Sequence, residues 1–146
     1  MTTSVTPPST ARSLPIVLLR ARERVMGPIR GMLADAGVTE QQWRVLRVLD
    51  EEGPLDPTSI ADRAVLLLPS LTRILQKLEE KGYVTRRRDE HDRRRQVIEA
   101  TDTGRAIIAE NMETSRRILT EMKAKLGEEK HEQLIALLGE LTELDV

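Results

Sequence analysis

Two runs of three arginines are the part of this 146-residue sequence with the clearest chemistry. Arg86-Arg87-Arg88 and Arg93-Arg94-Arg95 enclose a short acidic segment, residues 89–92. Guanidinium groups bind phosphate oxygens and are attracted into the negative minor groove of DNA. The spacing therefore predicts a loop that contacts DNA, and the alternative is a solvated charged loop without a partner.

The charge distribution favours the first interpretation. The whole chain carries a net charge of −1, so composition alone does not indicate a nucleic-acid-binding protein. Residues 69–100, however, hold nine Lys and Arg against six Asp and Glu, a net charge of +3, whereas the remaining residues carry −4. The basic excess is thus concentrated in the segment that contains both arginine runs, as expected of a nucleic-acid interface.

A short amphipathic helix is predicted immediately before the arginines. Pro69 suits a first helical turn, Gly82 suits a stop, and apolar residues recur between them at helical spacing. The other face carries small polar and basic side chains: Ser70, Thr72, Arg73, Gln76 and Lys77. A helix of this size and chemistry fits a DNA major groove, where these side chains would face base edges or phosphates.

A β-hairpin is predicted after that helix, since the β-prone runs 83–85 and 96–98 flank the charged turn. Arg94 lies near the turn and is the candidate for the minor groove, with Asp92 two residues earlier to hold it by a charge-assisted pair. Arg86 and Arg88 are better placed for phosphates. Helix and hairpin together predict a winged helix-turn-helix, hence a fold that is mostly α with one small hairpin.

The N-terminal part is predicted to be a disordered tail, residues 1–12, followed by a long helix over residues 13–36. Gly27-Pro28 should bend that helix, and Gly37 should end it. Thr39 and Gln42 match a capping box for the next helix. Trp43 within it is expected in the core or at an interface, with one wall of a ligand pocket as the alternative.

The C-terminal part is predicted to be two helices that begin near Thr101 and after Gly127. Together with the first helix they carry more apolar surface than one small module covers, so we expect a two-fold homodimer. The expected organisation is a single domain over 13–146, in which 37–101 form the DNA-binding module and 13–36 and 102–146 form dimerisation helices.

Other function classes have little support in the sequence. The chain lacks cysteine, which excludes disulfides and thiol redox sensing, and it has only two histidines, which leaves little for catalysis. His91 and its acidic neighbours are interpreted as a solvated turn, with a metal site as the alternative. We expect no cofactor, no membrane segment and a cytoplasmic location.

The predicted hairpin, which is the wing of the winged helix-turn-helix, and the residues after it resemble a known family. Asp89-Glu90-His91-Asp92-Arg93-Arg94, followed by residues 100–104 (ATDTG), resembles the D-P-x-D-R-R-x5-L-T-x-x-G signature of MarR-type transcriptional regulators, with Glu and Ala replacing Pro and Leu. The segments LLRARERVMGPIRGML, VTEQQWRVLRVL and LLLPSLTRILQKLEEKG resemble the branch that controls homoprotocatechuate and hydroxyphenylacetate degradation.

The resemblance implies a homodimeric repressor of an aromatic-acid catabolic operon that binds a pseudo-palindromic operator. It implies release by a small aromatic carboxylate, whose carboxylate meets Arg22 and whose ring lies against Trp43 and Leu66 or Leu67. The alternatives are a MarR-type regulator of a stress or drug-response operon, or a helical protein–protein adaptor.

Overall fold

The computed structural model describes residues 9–146, which form six α-helices, one 3-10 turn and one hairpin. In chain order the elements are α1 (Leu14–Ala36), α2 (Glu40–Glu52), α3 (Pro57–Ala64), α4 (Leu68–Glu80), β1 (Val84–Arg88), β2 (Gln96–Ala100), α5 (Asp102–Leu126) and α6 (Glu128–Thr142). The predicted tail lies partly outside the described residues, and Thr10–Arg12 at its end forms the 3-10 turn. The predicted fold class is confirmed.

The helix boundaries follow local signals in the sequence. The Thr39 hydroxyl accepts a hydrogen bond from the Gln42 backbone N–H, and the Gln42 side chain accepts from the Thr39 N–H, so the predicted capping box is present. Gly37 ends α1 in the left-handed conformation at φ 75°, which glycine adopts without steric cost. The helix α1 continues through Pro28 as one element.

The hairpin is a two-stranded antiparallel sheet with Val84 opposite Ala100 and Arg88 opposite Gln96. Leu55, between α2 and α3, adds a short bridge on the free edge of β2 through reciprocal backbone hydrogen bonds with Ile98, of 3.0 and 2.8 Å. The bridge extends the hairpin sheet by one residue pair. It also fixes the hairpin against the helices, because the same backbone edge cannot slide without breaking both bonds.

The core lies where α2, α3, α4, the hairpin and the start of α5 meet. Its fully buried side chains come from each of these elements: Leu46, Ile60, Leu71, Leu75, Leu78, Val84, Ile98 and Ile108. In α1 the buried residues are confined to its C-terminal half, Ile29, Met32 and Leu33. The N-terminal half of α1 and most of α6 thus contribute little to this core.

Gly104, in the first turn of α5, makes the closest backbone approach of the fold's glycines. A Cβ atom built at Gly104 would overlap the carbonyl oxygen of Tyr83 and lie 3.3 Å from Leu46. Since the Tyr83 carbonyl also accepts a 3.0 Å hydrogen bond from the Thr101 N–H, it is not free to move away. The glycine is therefore required for packing α5 against the start of the hairpin.

We predict that Gly104→Ala lowers the free energy of unfolding by about 1–3 kcal/mol, the usual cost of overpacking. Gly139→Ala is the matched control, because Gly139 lies inside α6 and no neighbouring atom lies within 4 Å of the position that an alanine methyl would occupy. The control should raise stability by roughly 0.5–1 kcal/mol, since alanine has the higher helix propensity. Urea denaturation of both variants measures the difference, and equal effects would contradict the packing argument.

Candidate nucleic-acid interface

The helix α4 divides its residues between the core and the surface. Leu71, Leu75 and Leu78 are buried, and the side chains predicted to face DNA are on the other side. Of these, Thr72, Arg73, Gln76 and Lys77 are exposed, and Ser70 is half-buried. The burial of the leucines thus determines which face of α4 is available to a partner.

Thr72 differs from its neighbours in how its hydroxyl is used. The Oγ1–H donates to the Leu68 carbonyl one turn earlier at 3.1 Å. Its donor is therefore committed to its own helix, whereas Arg73, Gln76 and Lys77 keep theirs for an external partner. Such back-bonding of threonine is common in helices.

The turn between α3 and α4 determines the position of α4, the helix predicted to enter the major groove. Val65 ends α3 in the left-handed conformation at φ 56°, which is rare for a β-branched residue. Its carbonyl accepts a hydrogen bond from Nη1 of Arg44 at 3.3 Å. Burial, and then the nearby Arg22 guanidinium, lower the pKa of Arg44. Sequence reasoning missed this contact because it joins residues 21 positions apart.

The acidic segment of the hairpin loop has a structural role. Asp89 Oδ1 accepts from the His91 N–H at 2.9 Å, and this bond is the main reason that the pKa of Asp89 lies below its usual value. The loop is closed by backbone bonds from Asp89 to Arg95 and from Arg95 to Asp92, both 2.9 Å. Residues 9–146 contain no cluster of acidic or histidine side chains arranged for a metal ion.

Arg94 is the most exposed arginine of the wing ion pairs. Its side chain is 93% exposed, and its Nε lies 3.3 Å from Asp92 Oδ1. The same oxygen accepts from the Arg94 backbone N–H at 3.1 Å. The predicted pairing of Asp92 with Arg94 is therefore present, and it restrains a guanidinium that is otherwise in solvent.

The two arginines assigned to phosphates have partners within the protein. Arg86 lies against the end of α4, with Nε 3.6 Å from Glu79 and its side chain only 22% exposed. That Nε is buried and makes no hydrogen bond within the described residues. Arg88 donates to the Arg93 carbonyl at 2.8 Å and so braces the loop. Both therefore support the wing, and only Arg88 remains on the surface.

Arg95 joins the wing to the helix-turn-helix, a contact that the sequence analysis did not identify. Its Nη2 lies 3.3 Å from Oδ1 of Asp56, which caps α3. Hydrogen bonds from Ser59 are the main cause of a lowered pKa of Asp56, and Arg95 adds to them. The pairing joins residues 39 positions apart and therefore has no local signal in the sequence.

The residues assigned to an effector are only partly brought together. Arg22 forms an ion pair with Glu40 and lies near Arg44. Arg44 directly follows the buried Trp43 in the sequence. Leu66 instead lines a separate groove of about 480 Å3 between α2 and α4. Leu67 is 77% exposed at the start of α4. The structure therefore brings Arg22 close to Glu40 and Arg44, whereas Trp43 lines a groove with Arg44 and Leu66 lines another.

A concave apolar surface lies between α1, α5 and α6. It encloses about 580 Å3 and is lined mainly by aliphatic side chains, among them Val25, Leu119, Leu126, Leu134 and Leu138. Several more apolar residues nearby are exposed, including Ile135 at 53% and Leu137 at 62%. No helix within residues 9–146 combines the length and apolar character needed to cross a bilayer.

The comparisons with known proteins agree with this geometry. The MarR family profile matches residues 38–95. The HTH-type transcriptional regulator FarR of Neisseria gonorrhoeae is 38% identical over 133 residues, covering 91% of each chain. The homoprotocatechuate degradative operon repressor of Escherichia coli is 37% identical over 132 residues, covering 90% of this chain and 89% of that relative.

The solved structure of NadR in complex with 4-hydroxyphenylacetate has the same fold. It matches with a TM-score of 0.80 and 37% identity, covering 97% of this chain and 100% of the other. These similarities extend over the terminal helices as well as the winged module, and the named relatives are regulators rather than enzymes. The chain belongs to the MarR family of transcriptional regulators.

Proposed function

We propose that this protein is a homodimeric repressor of an aromatic-acid catabolic operon, released from its operator by an aromatic carboxylate. The observation that carries the proposal is the division of α4, whose leucines are buried while its polar and basic face is exposed; Arg94 of the hairpin loop is exposed as well. The 37% identity with the homoprotocatechuate degradative operon repressor over 90% of the chain supports the operon class.

The apolar surface of the terminal helices supports the proposed dimer. Exposed apolar side chains of α1, α5 and α6 line one concave surface, and apolar patches of this kind mark interaction sites; they include Val25, Leu119, Leu126, Leu134 and Ile135. A second copy related by a two-fold axis covers both patches at once. It also places two α4 helices in successive major grooves, about 10 bp apart.

We predict that sedimentation equilibrium gives about twice the chain mass of 16.5 kDa. Leu137→Lys should shift the population toward monomer, because it places a charge in the desolvated interface. Asp50→Lys, which introduces a lysine at an exposed position of α2 outside the dimerisation helices, is the control and should leave the mass unchanged. A wild-type protein that sediments as a monomer yet binds DNA tightly would contradict the proposal.

In this arrangement each α4 contributes base and phosphate contacts and each wing contributes one arginine. Arg73 is suited to a bidentate contact with guanine, Gln76 to adenine, and Lys77 and Ser70 to nearby phosphates. Arg94 reaches the adjacent minor groove, while Arg86, Arg88 and Arg95 keep the hairpin in position. Of these four arginines, one contacts DNA and three orient the hairpin, while Arg87 and Arg93 are exposed on the same hairpin.

We predict that Arg94→Ala weakens operator binding by on the order of 10- to 100-fold, since a dimer loses two charge-assisted contacts. The dependence of log K on log salt should become shallower by about 2, because two fewer phosphate counterions are released. Gel-shift titration at several salt concentrations measures both, on duplexes that the wild-type protein selects from a random-sequence library.

Lys125→Ala serves as control in that titration, since it removes one positive charge per chain at the end of α5 away from the wing. It should leave both affinity and salt dependence near the wild-type values. If the two variants behave alike, Arg94 acts only through net charge and the wing assignment is wrong.

The effector site is proposed at the Arg22 group. Arg22 and Arg44 lie near each other with Glu40 as the carboxylate paired to Arg22, so the group carries an excess of positive charge that attracts an anion. Trp43, which is largely buried, lines a groove together with Arg44 and is the aromatic side chain proposed to meet the ring of the effector. The NadR complex with 4-hydroxyphenylacetate, a fold neighbour at 37% identity, makes hydroxyphenylacetates the first compounds to test.

Release requires the effector to prefer one spacing of the two α4 helices over the other. A ligand shifts the population only by its difference in affinity for the two states. Since α1 belongs to the proposed dimer interface and α2 to the DNA-binding module, an anion bound at Arg22 acts where the two parts meet. Preference for the spacing that does not fit DNA releases the operator.

We predict that Arg22→Ala retains operator affinity but loses the response to 4-hydroxyphenylacetate. The ligand should raise the melting temperature of the wild-type protein, because it stabilises the fold by about 2.7 kcal/mol at a hundredfold excess over Kd. The melting temperature of the variant should not change. Arg20→Ala, another exposed arginine of α1, is the control. A variant that still releases DNA at the wild-type effector concentration would place the pocket elsewhere.

A further inference from the structure

The start of α4 carries an exposed apolar tip, which we define as Val65, Leu67 and Leu68. Their exposed fractions are 78%, 77% and 47%. In the described part of the chain, the other large exposed apolar side chains lie on α1, α5 and α6 or follow α6. The proposed dimer interface accounts for apolar surface on those helices, but it does not account for the tip.

The tip is continuous with the face of α4 that is proposed to read DNA. Leu68, Thr72 and Gln76 are spaced four residues apart and therefore form one stripe along the helix. The Thr72 hydroxyl donates to the Leu68 carbonyl at 3.1 Å, which joins the first two members directly. The stripe is thus apolar at the N-terminal end and polar further along.

The tip has a leucine at a position where another residue type would stabilise the helix. Leu67 occupies the N-cap of α4 and makes no capping hydrogen bond, although Ser, Thr, Asp or Asn is preferred there. The other helices of the module, α2 and α3, are capped by Thr39 and Asp56. An exposed leucine at this position gives up a cap without gaining burial within the protein.

The backbone beneath the tip is held in one conformation. Val65 adopts its left-handed conformation while its carbonyl accepts from Arg44, and the Leu66 N–H donates to the Ala61 carbonyl at 2.9 Å. Strained backbone of this kind persists where surrounding contacts hold it, and it is enriched at functional sites. The two leucines that follow are therefore presented from a fixed turn.

We propose that Leu67 and Leu68 read thymine by contacting its C5-methyl group in the major groove. The N-terminal residues of a recognition helix are those that reach base edges. Among the groups exposed on those edges, the thymine methyl is the apolar one, and it is contacted by apolar side chains. The inference rests on the proposed DNA-binding function and adds a base preference to it.

The test uses full-length protein and duplexes that it selects from a random-sequence library, resynthesised with deoxyuridine in place of individual thymines. Deoxyuridine pairs as thymine does but lacks the methyl. We expect one thymine in each half-site whose replacement weakens wild-type binding about three- to fivefold, the value of one buried methyl. Thymines outside the half-sites should be replaceable without effect.

Variants at the tip assign the effect to these side chains. Leu67→Ser with Leu68→Gln should bind the thymine and uracil duplexes equally, whereas Leu67→Met, which keeps an apolar side chain, should retain the difference. Since both positions are exposed, no variant should melt below the wild type, and the serine at the N-cap of α4 should raise the melting temperature slightly. A double variant as sensitive to uracil as the wild type would overturn the inference.

The outcomes also separate this inference from the function beneath it. If wild-type protein selects and binds duplexes but tolerates uracil at every position, the tip does not read thymine and the DNA-binding proposal stands. If no duplex is enriched, the DNA-binding proposal fails and this inference fails with it. The tip would then be a candidate contact for another protein chain.

Discussion

The burial of three leucines of α4 is the constraint on which the rest of the structure depends. Leu71, Leu75 and Leu78 lie against a core that is shared with the hairpin, α2, α3 and the start of α5. Because these side chains leave water completely, the rotation of α4 about its axis is fixed. This rotation determines which side chains of α4 face a partner, among them Arg73 and Gln76.

The arginines of the hairpin gain distinct roles only through their partners in space. Arg86 meets Glu79, Arg88 meets a loop carbonyl, and Arg95 meets the cap of α3. Each contact restrains a guanidinium in the free protein. Arg94 is restrained by Asp92, two residues earlier, and is the most exposed arginine of these pairs. A cluster that looks like uniform charge in the sequence therefore contains arginines that differ in partner and in exposure.

The sequence was sufficient for what local rules decide. The capping box at Thr39, the stop at Gly37 and the pairing of Asp92 with Arg94 each involve residues within a few positions, and all are present. Contacts that join distant segments were not predictable, because neither partner carries a signal for the other. This class includes the contacts of Arg44 with Val65 and of Arg95 with Asp56. The positions of Leu66 and Leu67, away from Arg22, likewise had no local signal in the sequence.

The close approach at Gly104 has a mechanical meaning. The Tyr83 carbonyl touches the helix backbone, and the Thr101 hydroxyl donates to the Gly82 carbonyl at 2.6 Å, so no compressible side chain separates the root of the hairpin from the long helix after it. Sliding at this junction would press the Tyr83 carbonyl into the backbone of α5, so we expect the root of the hairpin and α5 to move together. A change in the crossing angle of α5 would then displace the hairpin loop most, because the loop lies farthest from the junction.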